Sequence, residues 1–261
     1  MLGMNLQIDP ALLSRVEDAG LNASAPPQQR WMDGWLVRLC PGKAKRARCI
    51  NAVATGSRPT ANKLEQCTRW FETAALPLIV RVTPFTLPRD LDLELDSMGL
   101  RRFDDTRTMV LPNLPEFGPA SQDSKYSTRG IALEPFAQRL GSLRGSSLAQ
   151  RQAHAQRLVN SPVPFFAFEM RENAEVVACG QYALEGDLVG LYDIFTAPQA
   201  RGRGLARQLC QHMLSQARTE GAAHAYLQVD AENRAARSVY FRLGFEDGYS
   251  YFYRTLDPSV A

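Results

Sequence analysis

Residues 191–214, LYDIFTAPQARGRGLARQLCQHML, constrain the fold more than any other part of this chain. The first six residues, rich in Leu, Tyr, Ile and Phe, read as a buried strand that ends near Thr196. The loop Gln199-Ala-Arg-Gly202-Arg-Gly204 follows. Leu205, Leu209, Met213 and Ala217 then recur at helical spacing. The first N–H groups of such a helix have no intrahelical partners. They lie at the positive end of a dipole equivalent to about half an elementary charge. Gly202 and Gly204 carry no side chain to keep an anion away from those amides. A strand, a glycine-rich loop and a helix in this order form a cradle for a pyrophosphate, and Arg201 and Arg203 add positive charge. Taken alone, RGRG is equally compatible with a solvent-exposed tight turn. Neither GxxxxGK[ST] nor GxGxxG occurs, which sets aside two other nucleotide-binding patterns.

Around this segment the periodicity alternates between strands and helices. A helix is expected over residues 10–19, ending near Gly20. Strands are expected at 31–39 and 50–54, a helix at 61–75, a short strand at 78–82, a helix at 87–98 and a strand at 106–111. Residues 112–130, rich in Pro, Gly and Ser, read as a linker. Beyond it come a strand at 131–133, one or two helices within 136–159, and strands at 165–170, 176–184 and 188–195. The helix at 204–218, a strand at 225–229, a helix at 233–243 and aromatic-rich strands complete the chain. The halves echo each other, because SMGLRRFDDTRTMVL and RLGFEDGYSYFYRTL align at a constant offset, Gly99 with Gly244 and Leu111 with Leu256. A length of 261 residues suits two such domains, at 1–120 and 126–261, and the match suggests a duplicated fold.

Gln199-x-x-Gly202-x-Gly204 after Thr-Ala-Pro, followed by Asn233, Tyr240 and Gly244-Phe245, resembles the GCN5-related N-acetyltransferase (GNAT) family. The resemblance covers about residues 126–261 and is strongest over the last 75 or so. The first half is similar to a degenerate copy, since its loop at residues 55–62 lacks the pattern and Pro59 removes an amide. The family implies an α/β (α+β) fold with a mixed, mostly antiparallel central sheet flanked by helices. It also implies an enzyme that moves an acetyl group from acetyl-CoA directly to a primary amine of a small molecule or peptide, with no metal. Carried over position by position, the N–H groups of Arg201, Gly202, Arg203, Gly204, Leu205 and Ala206 would grip the pyrophosphate. Ile194, Phe195 and Thr196 would pair with the pantetheine arm and supply an oxyanion donor. Asn233 would contact that arm, and Tyr240 would protonate the leaving thiolate.

Asn233 and Tyr240 stand seven apart, about two helical turns, and so share a face. Their structural alternatives are a helix cap and a core aromatic beside Ala236, Val239 and Leu243. Asp193 is the candidate base. Gln228 occupies a position where some relatives carry a glutamate, and an amide cannot take a proton. Asp230 reads as a turn cap, Glu169 and Glu185 could order water, and His154, His212 and His224 have no evident partners. Lys43-Ala-Lys-Arg-Ala-Arg48 reads as a solvated basic loop. Its sharper reading is contact with the phosphates of CoA or with an acidic substrate across the domain interface. Trp31, Trp35 and Trp70 read as core or as a substrate wall.

Five scattered cysteines without a CxxC pair read as reduced, buried thiols, with Cys210 packed rather than serving as an acyl carrier. A net charge of +3 argues against a general nucleic-acid binder. No apolar run approaches the roughly 18 residues of a membrane span. MLGMNLQIDP lacks the basic and apolar segments of a secretory signal, and Met4 is an alternative start. A cytoplasmic protein is expected. Two other functions stay open, a transferase for a longer acyl group and a non-catalytic CoA-sensing or scaffold protein.

Overall fold

A computed structural model describes residues 3–117, 125–257 and 259. Its N-terminal part holds helix α1 (Pro10–Ala23), strands β1 (Gln29–Met32), β2 (Trp35–Arg38) and β3 (Ile50–Ala52), helix α2 (Thr60–Thr73), strand β4 (Val80–Val82), helix α3 (Leu91–Ser97) and strand β5 (Arg101–Leu111). Its C-terminal part begins with strand β6 (Tyr126–Ile131), helices α4 (Leu133–Leu143) and α5 (Leu148–Val159), and strands β7 (Phe165–Glu172), β8 (Glu175–Glu185) and β9 (Leu188–Thr196). Helix α6 (Leu205–Thr219), strand β10 (His224–Asp230), helix α7 (Arg234–Phe241) and strand β11 (Glu246–Thr255) follow.

Most elements fall where the periodicity puts them, and the departures have local causes. Helix α1 does not stop at Gly20. A Cβ at that position would lie 2.8 Å from Nε2 of Gln228, so the glycine serves close approach of α1 to β10 instead of termination. Residues 31–39 form not one strand but the arms of a hairpin. Asp33-Gly34, both at positive φ, makes the turn that suits the twist of paired strands. Helix α3 covers only the later part of residues 87–98. Strand β6 lies inside the expected linker, whose residues 118–124 are outside the described region.

The strands form one mixed sheet in the order β1-β2-β3-β4-β11-β5-β10-β9-β8-β7-β6. Only β3–β4 and β9–β10 are parallel among these neighbours, so the sheet is mostly antiparallel. The two parts exchange their last strands: β5 lies between β10 and β11, while β11 lies between β4 and β5. The 145-residue spacing of Gly99 and Gly244 also separates Thr106 from Tyr251, and these two residues face each other across β5 and β11. On either side the pattern repeats, with Val82 opposite Phe252 and Val229 opposite Arg107.

Helices cover both faces. Side chains of β9 alternate, with Val189 and Leu191 packed among residues of α6 and Leu188 and Tyr192 packed among residues of α1, α4 and α5. The α6 side buries Leu205, Leu209, Met213 and Leu214 beside Tyr240 of α7. Truncating one such leucine to alanine costs about 2–5 kcal/mol. On the opposite face α1, α4 and α5 share one cluster, through Leu13, Val16, Phe136, Leu140 and Leu158. Helices α2 and α3 pack with β2–β4 around Trp35, Phe71 and Leu95. A buried ion pair, Glu17 to Arg81 at 2.5 and 3.0 Å, with the Tyr249 hydroxyl donating to Glu17 at 2.6 Å, links α1, β4 and β11.

Candidate active site

Strands β9 and β10 pair from Leu188–His224 to Leu191–Leu227 and then part. The register of β9 on β8 shifts beyond Tyr192, and Asp193 has φ 54, a conformation that aspartate tolerates better than most residues. A bulge of this kind bends its strand. Ala178–Thr196 and Cys179–Phe195 still pair, so Ile194, Phe195 and Thr196 are held by β8 on one side and released on the other. The slot opens into a cavity of about 280 Å³ lined by Ile194, Gln228, Asn233 and Tyr240.

At the far end of β9 the chain enters the glycine loop. Gly202 and Gly204 both have φ 76, and a Cβ on either would meet nothing within 4 Å. Gly204 is the N-terminal boundary of α6, and the first helical bond there runs from the Gln208 N–H to the Gly204 carbonyl. The N–H groups of residues 202–206 make no hydrogen bond to any described residue. Arg201 is exposed, with Nε 3.4 Å from the Thr196 carbonyl. Arg203 instead donates to Glu172 at 2.7 and 2.8 Å and to the Tyr126 hydroxyl. Part of its charge is therefore already neutralised.

Asn233 caps α7, its Oδ1 accepting from the Ala236 N–H at 3.1 Å, and the residue also lines the cavity. Tyr240 is 8% exposed, packs edge-on to Phe245 and lines the same cavity. Burial and the neighbouring Cys210 push its phenol well above the usual tyrosine range, so it stays protonated at neutral pH. Both polar atoms of Gln228 are buried without a partner, which leaves its amide available to a ligand in the cavity.

Residues 131–245 match the family model described as the acetyltransferase (GNAT) family. This segment is a GNAT-family acyltransferase domain. An uncharacterized N-acetyltransferase of Bacillus subtilis, YobR, is 24% identical over 87% of this chain and 91% of its own. The [ribosomal protein bS18]-alanine N-acetyltransferase of Escherichia coli K12 is 29% identical over 32% of this chain, a match that spans 56% of that enzyme. A solved GCN5-related N-acetyltransferase from Kribbella flavida superposes with a TM-score of 0.65 at 16% identity, covering 94% of this chain and 95% of its own, and so shares the fold.

Within the GNAT domain, Asp193 has more partners than the sequence suggests. Arg144 donates to it at 2.7 Å and the Gln181 amide at 2.7 Å, and His154 Nε2 lies 3.2 Å away. Burial opposes ionisation, yet the nearby His154, with Arg144 and Arg157, holds this carboxyl well below the usual range. A carboxylate so stabilised is a weak proton acceptor, which argues against Asp193 as the base. Glu169 is ion-paired with Arg129, Arg139 and Arg171, and Glu185 accepts from Asn22. His212 packs edge-on to Phe168, and His224 contacts the Pro112 carbonyl. All five cysteines are buried and unpaired, and burial raises Cys49 to about 11 and Cys210 to about 12. The described residues contain no group of three or more His, Cys, Asp and Glu side chains suited to a metal. No described helix is long and apolar enough to cross a membrane.

The sequence set His154 aside for want of a partner and gave no sign of Arg144 and Arg157; the three reach the cavity region from α5 and from the turn between α4 and α5. Ser24, Ala44 and Arg46 enter from the N-terminal part, so the basic loop meets the GNAT domain's cleft. The loop at residues 55–62, in the matching place between β3 and α2, is closed by the chain itself. The Asp33 carboxylate accepts the Ser57 and Arg58 N–H groups, each at 2.8 Å. These bonds hold Asp33 down at about 2.

Proposed function

We propose that this protein moves an acetyl group from acetyl-CoA directly to a primary amine of a small molecule or peptide. On this reading residues 1–120 and 126–261 are two copies of one fold, and only the second takes the donor. The observation that carries the proposal is the row of unbonded N–H groups at residues 202–206, at two exposed left-handed glycines, beyond the end of the strand that parts from β10. The duplication is supported by the repeated strand pairings around Thr106 and Tyr251. The restriction to one copy is supported by Asp33, which occupies in the first loop the amides that stay free in the second.

The loop amides and Arg201 hold the pyrophosphate. Ile194, Phe195 and Thr196 present an unpaired strand edge to the pantetheine arm, and Asn233 lies across the slot. When bound, acetyl-CoA supplies the acyl group as a thioester. A lysine-like amine, with a pKa of about 10.4, needs roughly 4–5 kcal/mol to be neutral at pH 7, so a base at the slot matters. We assign that role to His154, which lines the cavity adjoining the slot, with Asp193 3.2 Å from its Nε2 as the group that orients it. As the N–C bond forms and the C–S bond breaks, His154 takes one proton from nitrogen and Tyr240 gives one to sulfur. Cysteines that are buried and held as thiols favour direct transfer over an acyl-cysteine step, and five unpaired thiols fit a reducing cytoplasm.

Calorimetry with CoA, followed by free-thiol release from acetyl-CoA with a panel of amines, tests the reading. Heat with turnover supports it. Heat without turnover marks a sensor, faster turnover with longer acyl-CoA marks a different donor, and no heat removes the cradle.

A further inference from the structure

Beside the slot lies a second cavity of about 250 Å³ that shares Ala44, Arg46, Arg144, Arg157 and Asp193 with the first. The two adjoin, and together they fall in the size range of small-molecule pockets, about 300–1,000 Å³. Their charges do not balance. Arg157 is 8% exposed, donates to the Ala23 carbonyl at 3.0 Å, stands 6.0 Å from the Phe165 ring, and makes no hydrogen bond or close ion pair with a carboxylate among the described residues, although it feels the charge of Asp193. Arg46 likewise donates to neutral oxygens, the Tyr251 hydroxyl at 2.9 Å and the Ser24 hydroxyl at 3.3 Å. Arg151 has a buried Nε without a partner, and Lys43 stands at the rim. The one acid common to both cavities, Asp193, is engaged by Arg144 and His154. Buried cations without anions are costly, and they persist where something else supplies the counter-charge.

This cationic pocket is not the place for CoA's pyrophosphate. The glycine loop opens on the α6 face of the sheet, whereas Arg151 and Arg157 belong to α5 on the opposite face, and the two sides communicate through the gap between β9 and β10. We propose that the acceptor is an amine that also carries an acid group, a carboxylate or a phosphate, seated among Arg46, Arg151 and Arg157 with its amine directed into the slot. This inference rests on the reading of that slot as the site of acyl transfer. It turns the basic loop at residues 43–48 into a specificity element contributed by the N-terminal part.

The test uses the full chain and matched ligands: amino acids against their carboxamides, and O-phosphoethanolamine against ethanolamine. Binding is measured by calorimetry with and without saturating CoA, and kcat/KM with acetyl-CoA. Charge-assisted contacts lead us to expect a preference of about ten- to a hundredfold for the acid-bearing partner. The half-buried Arg151→Gln should raise KM for the acids about tenfold, with the neutral twin and CoA heat unchanged, and Arg157→Gln should raise KM for the acids as well. The better acid of the two series identifies the group. Neutral twins that bind or react equally well overturn the proposal, as does an acid preference that survives in Arg151→Gln. Heat from CoA with none from any acid sinks this inference alone, whereas acid binding without CoA heat sinks the cradle and leaves the pocket standing.

Discussion

Gly202→Glu places a carboxylate beside the row of free amides without disturbing the core. Gly202 is exposed, and its added Cβ would meet nothing within 4 Å. The folding cost is therefore confined to holding a non-glycine residue at φ 76, about 1–2 kcal/mol. The binding cost is electrostatic. For like charges roughly 5 Å apart it is about 0.8 kcal/mol in bulk water and about 3 kcal/mol at an effective dielectric near 20. That range corresponds to a loss of about four- to a hundredfold or more in CoA affinity per phosphate charge. Gly202→Ala carries the same backbone strain without the charge, so the difference between the two variants isolates repulsion. Raising the salt from about 0.1 M to 1 M shortens the screening length from about 10 Å to 3 Å and should recover part of the loss in Gly202→Glu only. Calorimetry with CoA, paired with thermal melts, reads both quantities. A folded Gly202→Glu that binds CoA as the parent does would place the pyrophosphate elsewhere.

Three further outcomes are expected. Tyr240→Phe should lower the single-turnover rate about a hundredfold or more while CoA affinity stays within about twofold, and an unchanged rate removes Tyr240 from the acid role. Because its phenol is held above the usual range, the alkaline limb of the wild-type pH–rate profile should not fall through the ordinary tyrosine region. His154→Gln should reduce kcat by about 10²–10⁴ with CoA heat intact; an unchanged kcat in that variant assigns the proton to another group. Asp33 is depressed to about 2 in the fold, so its carboxylate stabilises above the usual carboxylate range and stops doing so as the pH falls to about 2. Asp33→Asn should therefore lower the melting temperature at pH 7 and converge with the parent near pH 2, and a gap that is constant with pH refutes the role given to it.

Much of the GNAT segment was legible because its signals are local. The glycines of the 202–204 loop, the apolar stripe of α6, and the spacing of Asn233 and Tyr240 are backbone conformations and helical phases set within a few residues. The Asp33-Gly34 turn was equally local and simply went unread. The sequence by itself thus determined where a glycine loop opens ahead of α6, which two side chains share a face of α7, and that the two halves share an ending. Tertiary structure alone decided that β5 and β11 exchange places, that Asp33 fills the first loop, and that His154, Arg144 and Arg46 gather around Asp193. Those residues are separated by tens to more than a hundred positions. Strand order and the burial of charge depend on how whole elements pack, and no short-range periodicity encodes that.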